Sequence, residues 1–275
     1  MIVEETLQLP QKTDQEKSGN AMPEALGFSN GKTGGHMARS MMMNEISKAL
    51  QVLPEDADPK DFKKAIEEEN CLGMPTFSSR KKSFSHLVEL YGLDPKKALF
   101  RVLRKVVKAD PGSLPISAMI CSYGRDTQLR HSFKLISTLR PGEILKRIRM
   151  EEFLEEGFPS RFSAAMKRSL AQNVNTTWTY SGHLEGRAVK KRSIPTPRPA
   201  STAYAMFAGF LLGLRSQLLL NSEFVKLAGV DAHTALSHLS WASNQGWLRL
   251  RNAGGVTEID FSPLLTTEEN TICHE

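Results

Sequence analysis

Residues 150–194 read MEEFLEEGFPSRFSAAMKRSLAQNVNTTWTYSGHLEGRAVKKRSI. The stretch opens with a short helical segment over 150–156, and Gly157, Phe158 and Pro159 make a turn. Ser160 supplies a side-chain oxygen able to cap the next helix. Phe162, Met166, Leu170, Val174 and Trp178 stand four residues apart, the spacing of one face of a long helix. Gly182 and Gly186 break that helix, and 187–194 reads as a strand or a wing. Short helix, turn, longer helix, then strand is the order of a winged helix-turn-helix.

The same order recurs downstream. Ser193, Ile194 and the alternating prolines to Pro199 read as a stiff linker. An apolar helix is expected over 203–220, a short one over 222–227, a turn at Gly229, and a helix capped by Asp231 that ends at Gly246. Trp247 to Arg251 then alternates, with Leu248 and Leu250 on one side. Asn252, Ala253, Gly254 and Gly255 turn the chain, and Thr257, Ile259 and Phe261 face inward on a returning strand.

Upstream, helical spacing dominates. Met42, Ile46 and Leu50 share one helix face, and Pro54 stops it. Phe62 and Ile66 lie one turn apart. Ser78 and Ser79 are placed to cap a helix carrying Phe84, Leu87, Val88 and Tyr91, and Asp94-Pro95 signals the start of a helix over 96–108. Two further helices are expected around 116–123 and 127–138, with Asp126 favoured at the second start by the helix dipole. Strands never alternate with helices, which argues against a doubly wound α/β fold. The expected fold is mainly α: a helical N-terminal bundle followed by winged-helix-like elements with a small C-terminal β-hairpin. Its parts are a flexible tail over 1–35, the bundle over 36–140, a basic winged-helix-like unit with its linker over 141–199, and a C-terminal winged-helix-like unit with an acidic tail over 200–275.

Charge is distributed unevenly over these parts. Residues 76–200 hold 24 Lys+Arg against 10 Asp+Glu, a balance of +14, and the flanks hold the other 12 against 20, so the net +6 hides a strongly basic centre. Such a centre points to a polyanionic partner. Lys97, Arg101, Arg104, Lys105 and Lys108 form a single-sign stripe opposite the apolar face of Leu99, Phe100, Leu103, Val106 and Val107. Solvated faces usually mix signs, so the stripe reads either as a phosphate-binding face or as a wet face paired with acids elsewhere. Arg161, Lys167 and Arg168 fall early in the long helix of the basic unit, and Arg187, Lys190, Lys191 and Arg192 fall in its wing. A winged helix meets phosphates at these places. Asn173, Asn175, Thr176 and Thr177 read as added contacts or as plain helix surface. The C-terminal unit differs. Residues 201–275 carry 4 Lys+Arg against 7 Asp+Glu, and the 231–245 helix has no Lys or Arg. Phosphate would repel that surface, so it reads as a packing or partner-binding module. Arg249 and Arg251 face Glu258 and Asp260 across the hairpin and are neutralised there.

Other chemistries find little footing. Cys71, Cys121 and Cys273 form no CxxC pair, which fits a reducing compartment and argues against a disulfide framework or a zinc ribbon. The seven histidines form no HExxH, and His233 and His238 are five apart, off a common helix face. No GxSxG occurs. Gly27 to Lys32-Thr33 resembles a phosphate-binding loop, but three residues separate the glycines where the motif needs four. No catalytic, metal or cofactor-binding residue is assigned. The N-terminus lacks the pattern of a signal peptide. The longest apolar run, 203–214, has twelve residues, short of the roughly 20 that a membrane span needs. A cytoplasmic protein with neither membrane nor small-molecule substrate is expected.

Four stretches carry a family resemblance: SSRKKSFSHLVELYGLDPKKALFRVLRKV (78–106), ICSYGRDTQLRHSFKLI (120–136), WTYSGHLEGR (178–187) and GWLRLRNAGGVTEIDF (246–261). Together they resemble the BrxA-like small proteins encoded in bacterial BREX phage-defence clusters. The resemblance is one of pattern and order. It implies a helical N-terminal part, winged-helix elements, no enzymatic activity, and binding of double-stranded DNA in support of a larger defence complex. It brings no active site, and a second winged unit departs from the shorter family members. A protein–protein scaffold, docking its basic centre on an acidic subunit without touching DNA, is the alternative.

Overall fold

A computed structural model describes residues 23–31, 34–253 and 256–273. Lys32 and Thr33, the end of the loop weighed for nucleotide binding, lie outside the described residues, as do residues 1–22. Helix accounts for 63% and strand for 6%, which settles the mainly-α expectation.

The first helices form where their sequence signals place them, with shifted ends. Helix α1 spans Met43–Val52 and buries Ile46 and Ala49. Helix α2, Pro59–Lys63, starts with a capping box between Asp58 and Asp61 and runs into a π turn, Lys64–Glu68. Helix α3, Phe77–Tyr91, is capped by Thr76. Ser79 is the reciprocal partner in that box rather than the cap, because Thr76 Oγ1 accepts from its N–H at 3.1 Å. Helix α4, Ala98–Ala109, begins two residues late, since the Asp94 side chain accepts from Lys96 N and folds that end into a turn. Helices α5, Leu114–Arg125, and α6, Thr127–Thr138, meet at Asp126, which caps α6 through Leu129 N.

Residues 23–31, within the tail expected over 1–35, pack against the rest of the described chain. Leu26 and Phe28 are buried, and Phe28 meets Phe224 edge-on. Two arginines strap this segment down: Arg125 donates to Gly27 O at 2.5 Å and Arg130 to Ser29 O at 3.0 Å. The segment has no helical or alternating period, so its burial left no pattern in the sequence.

The basic unit comes after α6. Strand β1 is Ile144–Leu145, α7 is Arg147–Gly157, α8 is Ala164–Tyr180, β2 is Leu184–Glu185 and β3 is Lys190–Arg192. The three strands are antiparallel in the order β1-β3-β2, with Ile144 opposite Lys191 and Leu184 opposite Arg192. Helix α8 starts later than its sequence suggests. Ser163 Oγ accepts from Met166 N, whereas Ser160 sits in the turn at φ 57°. Arg161 therefore belongs to that turn. Leu170, Val174 and Trp178 are buried, and Trp178 stacks on Phe133 of α6 while donating to Ser132 Oγ at 2.9 Å. Met166 stays exposed.

Helix α9, Pro199–Leu211, is buried from Ala200 to Leu211 and packs against α4, α5 and the later helices Glu223–Ala228 and Ala232–Asn244. An apolar run with no polar side belongs in such a place. The helix expected over 203–220 divides at Gly213, which takes φ 80°, and resumes as α10, Ser216–Leu220. Helix α11, Glu223–Ala228, and α12, Ala232–Asn244, lead to the hairpin β4, Arg249–Ala253, and β5, Val256–Asp260. Arg249 pairs with Asp260 and Arg251 with Glu258 across it, the register expected from side-chain parity. Helix α13, Thr267–Ile272, closes the described chain.

Candidate nucleic-acid interface

The basic stripe of α4 does not stay together as a surface. Arg101 turns to α13, where its guanidinium donates to both carboxylate oxygens of Glu269 at 2.9 and 2.5 Å and to Leu264 O. Arg104 is only 4% exposed. It donates to Leu53 O at 2.8 Å and to Pro54 O, and lies over the Phe62 ring. Lys108 pairs with Glu55 at 3.5 Å and Lys97 donates to Ala25 O at 3.2 Å. Lys105 alone of the five is exposed without an ion pair among the described residues. The geometry answers the question the sequence left open, because a guanidinium that satisfies buried carbonyls or a carboxylate cannot leave them for a phosphate without orphaning its partners. Arg101 and Arg104 are therefore clamps that hold α4 to its neighbours.

The basic unit retains more of its charge at the surface. Lys167 pairs with Glu155 at 3.1 Å, and Arg161 rests over the rings of Phe158 and Phe162. Hydrogen bonds from Ser160 N and Lys167 hold the Glu155 carboxyl below the usual range. Arg192 points inward and donates to the carbonyls of His183 and Ser193. Arg168, Arg187 and Lys191 are exposed, and Lys190 is half-buried with its Nζ 2.7 Å from Gly186 O. Burial draws the Lys190 ammonium below its ordinary pKa.

The loop between β2 and β3, β1 and α8 line a groove of about 900 Å³. Arg187, Ala188, Val189 and Lys190 line it beside Ile144 and Leu145, which pair across the sheet with Lys191 and Lys190. Gln172, Asn173, Asn175 and Thr176 of α8 line it, with Lys146 and Arg147 at the start of α7. Among the described residues, no carboxylate lines this groove. Arg147 is balanced by Glu151 at 2.9 Å, one turn along α7. A smaller cleft of about 400 Å³ beside α4 instead sets Glu55 near Lys108 and Arg104. Lys146 and Arg147 escape the sequence reading because the strand that places them has only two residues, too few to show a period.

The floor of the groove is anchored from beneath. Asn173 Nδ2 donates to His36 O at 3.0 Å. His36 Nδ1 donates to Asp126 Oδ2 at 2.8 Å, its Nε2 accepts from Thr177 Oγ1 at 2.8 Å, and Thr177 Oγ1 accepts from Met41 N at 2.9 Å. This assignment gives each atom in the chain a matching role. Burial pushes the Asp126 carboxyl up, but the hydrogen bonds it accepts from His36 and Leu129 N outweigh it and bring the pKa below the ordinary value. The Asp–His–Thr order matches an orienter, base and nucleophile. Here all three side chains are buried and Met41 N–H occupies the hydroxyl oxygen, so the chain of bonds locks the N-terminal segment to α6 and α8.

Among the described residues, no cluster of three or more His, Cys, Asp or Glu is placed to hold a metal, and no helix is long and apolar enough to cross a membrane. No protein-family model matches this chain, and no curated protein matches its sequence.

Proposed function

We propose that the chain is a non-enzymatic, cytoplasmic DNA-binding accessory protein of a bacterial anti-phage system of the BrxA-like kind. In this reading two winged-helix-like units sit on a helical bundle, and only the first touches duplex DNA. Other subunits of a defence complex are its further partners. The observation that carries the reading is the cation-lined groove between α8 and the β2–β3 loop, with Lys146, Arg147, Arg187 and Lys190 in its lining and no carboxylate there among the described residues. The element order, a helix, a strand, two helices and a hairpin with sheet order β1-β3-β2, supports a winged helix. Binding is then mainly to phosphates, which position without reading sequence. Reversing Lys190 and Lys191 to Glu tests it by fluorescence anisotropy on a labelled duplex. Affinity drops steeply while the melting curve holds if the wing meets DNA, and stays unchanged if it does not. A scaffold reading is favoured by one observation. Helix α12 carries no Lys or Arg, and Arg249 of the adjoining hairpin meets Asp260 at 3.8 Å. That face suits a protein partner, so the second unit is assigned to docking.

A further inference from the structure

The first half of α8 stands clear of the rest of the basic unit. From Ser163 to Ser169 every residue except half-buried Lys167 is exposed, and Met166, one turn before buried Leu170, is 45% exposed. The side chains Ala164, Ala165 and Ser169 keep this end slim. A helix is about 10–12 Å across with its side chains, and the major groove of duplex DNA is about 12 Å wide. Helix α8 carries no Asp or Glu, whereas α7 beside it carries Glu151, Glu152, Glu155 and Glu156. The polar side chains of α8 divide into two sets. Asn173 donates to His36 O, Thr176 to Gln172 O at 2.8 Å and Thr179 to Asn175 O at 2.7 Å. Lys167 is taken by Glu155 and Thr177 by His36 and Met41 N. The side chains of Arg168, Ser169 and Gln172 are exposed and make no hydrogen bond or ion pair among the described residues.

Ser169 and Gln172 lie three residues apart on one side of α8, an advance of about 4.5 Å, close to one base-pair step of about 3.4 Å. Gln172 also shares its groove with Lys146, Arg187 and Lys190, so a free amide stands among the cations assigned to phosphates. A glutamine amide pairs with the major-groove edge of adenine, accepting from N6 and donating to N7, and a serine hydroxyl bonds to any base. We infer that the first half of α8 enters the major groove and that Gln172 makes binding sequence-selective, its amide on one adenine and the Ser169 hydroxyl on the neighbouring pair. The inference rests on the duplex reading of the basic unit and adds a base contact to its phosphate contacts. Arg168, at the edge of that side, keeps its phosphate.

The test selects bound molecules from a randomised duplex pool on the intact protein, then compares duplexes by fluorescence anisotropy. The wild type returns a preferred site containing an adenine, and exchanging that A·T pair for G·C weakens binding about tenfold. In Gln172→Ala the two duplexes bind within about twofold of each other. Gln172→Arg moves the preference at that position to guanine, whose O6 and N7 accept from a guanidinium. A misfolded variant cannot produce that switch. A pool that returns no preferred adenine, or a preference that either variant leaves unchanged, overturns the inference. Duplex binding that still weakens with salt in that case leaves the phosphate reading standing. No binding of any duplex at low salt overturns both.

Discussion

His183 joins the two halves of the molecule and sets a pH limit on their union. Its ring is fully buried, 4.8 Å from Trp178 and 6.2 Å from Phe133. Nε2 donates to Leu227 O of α11 at 2.8 Å, and Nδ1 accepts from Ser181 Oγ at 2.9 Å. Burial first, and then the charge of Arg192, pull its pKa from the ordinary 6.5 down to about 3. The unfolded chain thus takes up a proton near pH 6.5 and the native state refuses it until about pH 3. The stabilisation is complete above the unfolded pKa and is lost as pH falls towards the folded one. The limiting slope is about 1.4 kcal/mol per pH unit, so lowering pH from 8 to 5 removes about 2 kcal/mol through this one group. The perturbation is His183→Asn, and the assay is urea unfolding at fixed ionic strength, followed by tryptophan fluorescence at both pH values. The variant is less stable at pH 8, and the gap to the wild type narrows by about 2 kcal/mol at pH 5. Taking the difference cancels other titrating groups such as Asp126 and His238. A gap that stays constant between the two pH values refutes the buried neutral imidazole.

The clamps and the strapped segment give further expectations. Arg101→Met leaves the Glu269 carboxylate buried without its partner, lowering unfolding stability by about 2–4 kcal/mol. On the proposed reading duplex affinity stays the same, since the Arg101 guanidinium is engaged by Glu269 and Leu264 O. Phe28→Ala costs about 3–4 kcal/mol in thermal or urea unfolding, because the ring sits in the core against Phe224. No loss there would mean that the segment after residue 23 is not part of the folded unit. Folding lowers the Asp126 pKa, so its contribution to stability is present above the ordinary carboxylate pKa and is lost as pH falls through the depressed one. Asp126→Asn is therefore destabilised at neutral pH, with a gap to the wild type that shrinks in acid.

How legible each part was depended on whether its stabilising partner was local. The C-terminal hairpin was readable because Leu248, Leu250, Ile259 and Phe261 alternate on either side of a glycine turn. Helix α9 was readable because an unbroken apolar run has only a buried place to go, though its end at Gly213 was not. The α8 face was legible through Leu170, Val174 and Trp178, while its start hung on which of two serines, Ser160 or Ser163, found the N–H three residues on. The fate of the α4 stripe was hidden. Its spacing places Arg101 and Arg104 on one side of a helix, but Glu269 and the carbonyls of residues 53 and 54 lie far along the chain, and nothing local foretells that they cover that side. The groove was half visible. Arg187 and Lys190 stood out as wing cations, whereas Lys146 gains meaning only when β1 folds beside α8.

The proposal's central claim is that cations of the basic unit hold duplex phosphates. Exposed Lys146, Arg168, Arg187 and Lys191 and half-buried Lys190 are the side chains it assigns to them. The most direct measurement is duplex affinity against salt concentration. Neutralising about five phosphates predicts a log–log slope of about −4 to −5, falling by roughly 2 in Lys190→Glu/Lys191→Glu. A flat response, or no binding at low salt, contradicts the account.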